Sequence, residues 1–334
     1  MKTHLISVGS VLLLLLVIEA VGRLAFHDSI VGRWEYGFDT TSGIEVANGR
    51  ILIKRSAGKR FRDDNLDARK PDQGLRIAAL SDSVVKAASL ESSYVKQMVP
   101  LLEAQGIPAQ GLNLGVAGFG SRRAYYILQQ VAELDPDIVF LHIHDLNEYT
   151  DEREWQRKNE FASWHIKNLP MKSCVIRRIY EAKTEKVAWK LLTPEMRLQS
   201  ANVDADAELA ARLSPELRAA WRSQVLEYGE KAAALAAARG FSLVLVSQQC
   251  VDHPKDKLVA FAPENYDSIV DQIIMKYPAV IRVSMKELFE GTDLAKMYSD
   301  RVHPSKEGHL LMARSFAAIA VRLKNQREAR KSPR

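Results

Sequence analysis

The sequence predicts an α/β protein built on a mostly parallel sheet of about five strands, with helices on both faces. Short apolar runs that suit buried strands alternate along the chain with longer segments of helical periodicity. Hydrophobic residues make up 47% of the 334 residues, which is enough for a large core. This length suits one large domain with appendages, or two modest domains.

The first predicted strand begins at residue 75, after a polar and irregular stretch. The predicted strands are 75–80, 110–114, 137–143, 241–247 and 279–284, and the predicted helices are 90–105, 121–134, 208–238 and 305–324. The helix over 208–238 is rich in alanine and is followed by Arg239-Gly240, a typical helix stop. Strands that alternate with helices favour parallel pairing, because each helix returns the chain to the same edge of the sheet.

The N-terminus predicts a membrane anchor. Lys2 precedes the apolar run LISVGSVLLLLLVI over residues 5–18, and no strong cleavage site follows. We expect residues 1–26 to be an uncleaved signal anchor or, alternatively, a cleaved signal peptide. Either interpretation puts the main domain outside the cytoplasm, in the periplasm. Residues 27–74 are expected to be an irregular juxtamembrane segment.

The remaining chain divides into a main domain and a short tail. Residues 75–324 are expected to form the main domain, with an insertion at about 148–207. The aromatic residues of the insertion either line a groove over a site or form its own small core. They include Trp155, Trp164, His165 and Trp189. Residues 325–334 form a basic tail, interpreted as a solvated, frayed end or as a contact with an anionic surface.

Charge and cysteine content argue against several kinds of site. The formal net charge is +6, but no dense basic run with interleaved aromatic residues occurs in the middle of the chain, so nucleic-acid binding is not expected. Cys174 and Cys250 lie far apart and have no metal-binding spacing. They are two isolated buried thiols or, in an exported domain, one disulfide.

Polar residues collect where the predicted strands end, which is where parallel α/β sheets bind ligands. Ser81-Asp82-Ser83 follows the first strand, NLGVAGFGS over residues 113–121 follows the second, and Asn147 follows the third. Asp300 and His303 lie three residues apart near the C-terminus. Ser83 is therefore either a nucleophile or the N-cap of the next helix.

These residues meet the requirements of an acyl-transfer site. The hydroxyl of Ser83 needs a base to take its proton, and His303 can be that base while Asp300 holds its tautomer. The N–H groups of Ser83 and Gly118 and the side-chain amide of Asn147 can donate to an oxyanion. Such chemistry requires no metal or organic cofactor.

A rival constellation is His142-x-His144-Asp145, where two imidazoles share one face of a strand as metal ligands could. The pattern lacks a third ligand at a known spacing. We therefore expect His142 to be a hydrogen-bonded core residue and His144 to lie near the rim of the site, and no metal site is predicted.

The arrangement resembles the SGNH (GDSL-type) hydrolase family, whose four sequence blocks have counterparts in order over about residues 75–322. They are Ser81-Asp82-Ser83, NLGVAG, DPDIVFLHIHDLNE and SDRVHP. The resemblance implies a flavodoxin-like three-layer α/β/α sandwich. It implies Ser83 as nucleophile with Asp300 and His303 as its triad partners, and Gly118 and Asn147 as oxyanion donors.

Two positions depart from the family pattern. Ser81 stands in place of the glycine of the first block, and Leu146 replaces the glycine that usually precedes the asparagine. If position 81 has a positive φ, serine strains the turn by about 1 kcal/mol or more.

The resemblance implies an exported serine esterase that hydrolyses small acyl esters of the O-acetyl type, with a glycan as a candidate carrier. The anchored N-terminus and the long insertion are similar to members of bacterial polysaccharide-modifying systems. The alternatives are an O-acyltransferase that uses the same triad, a catalytically silent glycan-binding or assembly protein, and a lipid esterase that acts near the bilayer.

Overall fold

The computed structural model describes residues 2–25, 44–53, 64–148, 173–176, 215–254 and 264–331, together with positions 151, 152, 155 and 166. The strands are β1 (Ile44–Ala47), β2 (Arg50–Ile53), β3 (Asp64–Asp67), β4 (Leu75–Ser81), β5 (Ala109–Gly115), β6 (Ile138–Ile143), β7 (Ser242–Ser247), β8 (Gln249–Cys250), β9 (Glu264–Asn265) and β10 (Ile281–Ser284). The helices are α1 (Lys2–Ala25), α2 (Ser83–Lys86), α3 (Tyr94–Glu103), α4 (Ser121–Ala132), α5 (Pro215–Arg239), α6 (Asp267–Lys276), α7 (Met285–Leu288), α8 (Leu294–Met297) and α9 (Lys306–Lys331).

Five parallel strands form the central sheet in the order β10-β7-β6-β4-β5. Counted along the chain from β4, this is the order 2-1-3-4-5 of flavodoxin-like sheets. The predicted α/β class is confirmed, and each of the five predicted strands agrees with an observed one to within two residues at either end. The strand order reverses between β4 and β6, so the crevice in which such sheets bind ligands lies beyond the carboxyl ends of these two strands.

Helices cover both faces of the sheet because its central strands are apolar on both sides. Ala78 and Leu80 of β4 face a core shared with α4, α5 and α6, whereas Ile77 and Ala79 face a core shared with α3 and α9. Every residue of β4 and β6 is buried, as expected for strands between two helical layers. The result is the three-layer α/β/α sandwich that the resemblance implies.

Residues 27–74 were expected to be irregular, and this expectation is wrong for part of the segment. There β1, β2 and β3 form a separate antiparallel sheet. Ile51 and Ile53 are buried in the same core as Leu80, while the intervening Leu52 is only partly buried. A strand of four residues turns only two side chains inward, and so short a pattern gives little periodicity to recognise.

Several other elements differ from expectation or were not predicted. Helix α9 continues to Lys331, so the frayed-end interpretation of the tail is wrong up to that residue, and Arg327 pairs with Asp137. The β8–β9 hairpin and the helices α2, α6, α7 and α8 were not predicted. Most of the insertion at 148–207, including Trp164, His165 and Trp189, lies outside the described residues.

The predicted signal anchor corresponds to α1, whose apolar side chains over residues 11–18 are exposed. Among the residues that the structure describes, no helix combines the length and the hydropathy that a membrane span needs. The anchor therefore stays a prediction. Cys174 and Cys250 are both buried and form no disulfide with each other, in agreement with the interpretation as two separate buried thiols.

Candidate active site

Ser83 lies at the start of α2, directly beyond the carboxyl end of β4. The N-cap of this helix is Asp82, whose side chain accepts a hydrogen bond from the backbone N–H of Val84 at 3.0 Å. Ser83 is therefore not the cap, and its hydroxyl is available for another contact. Its Oγ lies 2.7 Å from Nε2 of His303, which is 220 residues away along the chain.

Asp300 fixes the orientation of His303 within the same short loop. Its Oδ2 lies 2.8 Å from Nδ1 of His303, and its Oδ1 accepts backbone hydrogen bonds from Val302 at 2.9 Å and His303 at 2.8 Å. Because a carboxylate only accepts hydrogen bonds, Nδ1 of a neutral His303 carries the proton. The lone pair of Nε2 then faces the hydroxyl of Ser83, which donates to it.

The two groups change each other's ionisation. Burial opposes the charged form of Asp300, but hydrogen bonds from the side chain and backbone of His303 lower its pKa to about 2. Burial also opposes the charged form of His303, but the hydrogen bond and the charge of Asp300, with a smaller effect of Asp82, raise its pKa above the ordinary 6.5. The imidazole is thus prepared to hold a proton taken from Ser83.

The turn that presents Ser83 is supported by β5. The side-chain amide of Asn113 donates to the carbonyl of Val85 at 2.9 Å, and its side-chain oxygen accepts from the N–H of Gly115 at 3.0 Å. A Cβ at Gly115 would collide with the backbone of Val85 and Lys86, so glycine permits the close approach of α2 to β5. Asn113 was not predicted to have a role at the site, although a polar residue within an apolar strand is a recognisable signal.

The two predicted oxyanion donors after Ser83 lie at the same edge of the sheet. Gly118 has a φ of +79° in the turn between β5 and α4, a conformation that favours glycine. The Asn147 amide nitrogen lies 3.2 Å from the carbonyl oxygen of Phe119 and 3.4 Å from Oδ2 of Asp82. This amide therefore sits between the turn of Gly118 and the residue that precedes Ser83.

The loop that carries Asn147 is fastened to the N-terminus of α4 by two fully buried carboxylates. Glu148 accepts hydrogen bonds from the N–H of Ser121 at 2.6 Å and its hydroxyl at 2.9 Å, and Asp151 accepts from the N–H of Gly120 at 2.8 Å. Burial and the neighbouring Asp151 raise the pKa of Glu148 to about 8. No local sequence pattern distinguishes these carboxylates from solvent-exposed ones, so their role was not predicted.

The histidines of the rival constellation have hydrogen-bonding roles. His142 is a buried core residue as predicted, with Nε2 2.9 Å from the hydroxyl of Tyr94. His144 is not at the rim, because it is only 2% exposed and its Nε2 lies 3.0 Å from Oγ of Ser81. In the described part of the chain, no three His, Cys, Asp or Glu side chains are grouped as metal ligands.

The comparisons with known proteins give matches among solved structures alone. The sequence matches no protein-family model and no curated protein. Solved hydrolases resemble the chain. An acetylxylan esterase from Geobacillus stearothermophilus is 15% identical over 74% of this chain and 94% of that one, with a TM-score of 0.43.

Two further structures have comparable similarity. A second acetyl xylan esterase is 12% identical over 73% of this chain and 99% of its own, with a TM-score of 0.44. A GDSL-like lipase from Bacteroides thetaiotaomicron is 13% identical over 76% of this chain and 93% of its own, with a TM-score of 0.41.

Proposed function

We propose that the protein is an exported serine esterase that hydrolyses small acyl esters of the O-acetyl type. The observation that carries this proposal is the continuous line from Ser83 through His303 to Asp300, with contacts of 2.7 Å and 2.8 Å. A hydroxyl, a base and a carboxylate in this order form a nucleophile, its proton acceptor and the group that fixes the acceptor's tautomer.

In the acylation step, Oγ of Ser83 attacks the ester carbonyl while Nε2 of His303 takes the hydroxyl proton. The carbonyl oxygen becomes an oxyanion, and we assign its stabilisation to the N–H groups of Ser83 and Gly118 and the amide of Asn147. When the tetrahedral intermediate collapses, Nε2 returns the proton to the leaving alcohol and an acyl–Ser83 ester remains.

Deacylation repeats the same steps with water. His303 removes a proton from water as the water oxygen attacks the acyl carbonyl, and the second intermediate releases a carboxylic acid while the proton returns to Oγ of Ser83. Asp300 stays ionised throughout, because its pKa is lowered to about 2. Its charge stabilises the imidazolium that forms in each half-reaction. The mechanism needs no group from outside the chain apart from water.

The finer parts of the proposal are the location and the carrier of the ester. Export rests on the apolar run over residues 5–18, and a glycan carrier rests on the resemblance to polysaccharide-modifying proteins. A fusion of alkaline phosphatase to the C-terminus tests export, because that reporter is active only outside the cytoplasm. Release of acetate from O-acetylated glycans tests the carrier.

Turnover of p-nitrophenyl acetate by the purified full-length chain tests the central claim, with Ser83→Ala as the matched variant. We expect turnover well above the buffer rate for the native chain and none above it for the variant. Equal rates in the two proteins would overturn the proposal. An acyl donor that is consumed only when a sugar acceptor is present would instead identify a transferase that uses the same triad.

A further inference from the structure

Ser81 holds an unusual backbone conformation directly before the proposed nucleophile. It is the last residue of β4, it is 2% exposed, and its φ is +143°. Residues with a Cβ rarely adopt this region, and those that do concentrate at functional sites where the surrounding structure compensates for the strain. The only group that serine adds over alanine is its hydroxyl, and this hydroxyl makes a buried side-chain contact.

That contact comes from His144. Its Nε2 lies 3.0 Å from Oγ of Ser81, and its Nδ1 lies 3.1 Å from the backbone nitrogen of Leu146. A backbone N–H can only donate, so Nδ1 is the acceptor and the proton of a neutral His144 is on Nε2. The imidazole therefore donates to the hydroxyl of Ser81.

His144 also reaches the residue between Ser81 and Ser83. Its Nε2 lies 3.4 Å from Oδ2 of Asp82, the same oxygen that faces the Asn147 amide at 3.4 Å. The other carboxylate oxygen, Oδ1, caps α2 at Val84. His144 thus contacts the carboxylate that lies against both the turn of Ser83 and the amide of Asn147.

We propose that His144 is a positioning residue that acts through Ser81 and Asp82 on the nucleophile turn and on Asn147. The proposal accounts for the serine at position 81, one of the two departures from the family pattern. Serine at position 81 supplies the acceptor for the N–H of His144, and the backbone of Leu146 supplies the donor that fixes its tautomer. The catalytic part of this proposal rests on the proposed esterase function, whereas the pairing of Ser81 with His144 does not.

The tautomer is the first test, and it does not depend on activity. In full-length protein labelled with ¹⁵N-histidine, we expect the His144 resonances to show the form protonated at Nε2, with assignment by their loss in His144→Gln. Ser81→Gly should shift the Nε2 resonance, because its nearest acceptor is removed. A native His144 protonated at Nδ1, or a resonance unchanged by Ser81→Gly, would overturn the pairing.

The second test is thermal unfolding of Ser81→Gly in two backgrounds. In the His144→Leu background, Ser81→Gly removes backbone strain and leaves no imidazole N–H without an acceptor, so the unfolding temperature should rise. Beside the native His144, the same change leaves a buried N–H without its nearest acceptor, so the gain should be smaller by about 2 to 4 °C or reversed. Equal shifts in the two backgrounds would contradict the pairing.

The third test measures positioning through kcat. Glutamine carries an N–H group at about the reach of Nε2, whereas leucine keeps bulk without a donor. We expect His144→Leu to lower kcat for p-nitrophenyl acetate at least about tenfold with little change in KM, and His144→Gln to restore most of it. Equal kcat values in the two variants would overturn the positioning role. A native chain without turnover would refute the esterase function and this role together, while the tautomer and unfolding tests would still decide the pairing.

Discussion

Replacing Asp300 by asparagine is expected to remove nearly all turnover while the domain stays folded. The carboxylate accepts the Nδ1 proton of His303 at 2.8 Å. An asparagine amide in the same place can donate to Nδ1, which puts the imidazole proton on Nε2. A protonated Nε2 cannot take the proton of Ser83, so the base is lost although the side chains keep their positions.

The magnitude follows from two contributions of different size. The side chains of His303 and Asp300 are 42% and 44% exposed, so water screens their direct attraction to about 1 kcal/mol. The wrong tautomer is more damaging, since the comparable change in a serine protease lowers kcat by about 10⁴. We therefore expect a fall of about 10³ to 10⁴ in kcat, which corresponds to about 4 to 5.5 kcal/mol of barrier.

The pH profile separates this mechanism from a general loss of structure. His303 must be neutral to act, so native kcat/KM should rise with pH through an apparent pKa above 6.5, because Asp300 raises the pKa of His303. In Asp300→Asn only the smaller effect of Asp82 still opposes the effect of burial on His303, so the remaining activity should rise through a lower pKa.

The assay is release of p-nitrophenol from about pH 5 to pH 9, with parallel thermal unfolding. Asp72→Asn is the control, because it also removes one carboxylate, in this case from an exposed ion pair with Arg69. Asp72 lies just before the N-terminal end of β4, whereas Ser83 follows the C-terminal end. That variant should keep the native profile. A variant at Asp300 with native kcat, or with its pKa moved upward, would refute the reasoning.

Three further changes have expected outcomes that steady-state kinetics and unfolding can check. Asn147→Ala should lower kcat by about 10² to 10³ with KM nearly unchanged, and an unchanged kcat would remove this amide from the oxyanion site. Gly115→Ala should lower both kcat and the unfolding temperature, because its methyl group would displace the backbone at Val85; a native-like variant would contradict this. Asp151→Asn should cost about 3 to 5 kcal/mol in urea unfolding by breaking the buried pair with Arg123, and an unchanged midpoint would show that the pair is not needed.

The sequence was sufficient to predict the central sheet because its strands are long enough to show a pattern. Buried parallel strands are continuous apolar runs, and the run of Ile77 to Leu80 is recognisable without any knowledge of its partners. The residue types of the candidate site were also predictable, since Ser83 and Asn147 follow such runs and His303 directly precedes Pro304. The short strands β1 to β3 were not, because four residues carry too little periodicity.

The roles of neighbouring residues required the folded structure. Asp82 rather than Ser83 caps α2, and this choice depends on where each side chain points after the chain turns. Glu148 and Asp151 look like ordinary acidic loop residues, yet both are buried against the N-terminus of α4. Burial of a charged group depends on which elements pack over it, and a local pattern does not contain that information.

The α/β class, the succession of the five central strands and the types of residue at their ends follow from the sequence, because they depend on periodicity and on neighbours along the chain. Only the tertiary structure decided that Ser83 meets His303 across 220 residues and that His144 donates to the strained Ser81. Such contacts depend on the register and order of strands in the sheet, which the combined packing of two cores fixes, so that no single segment determines them.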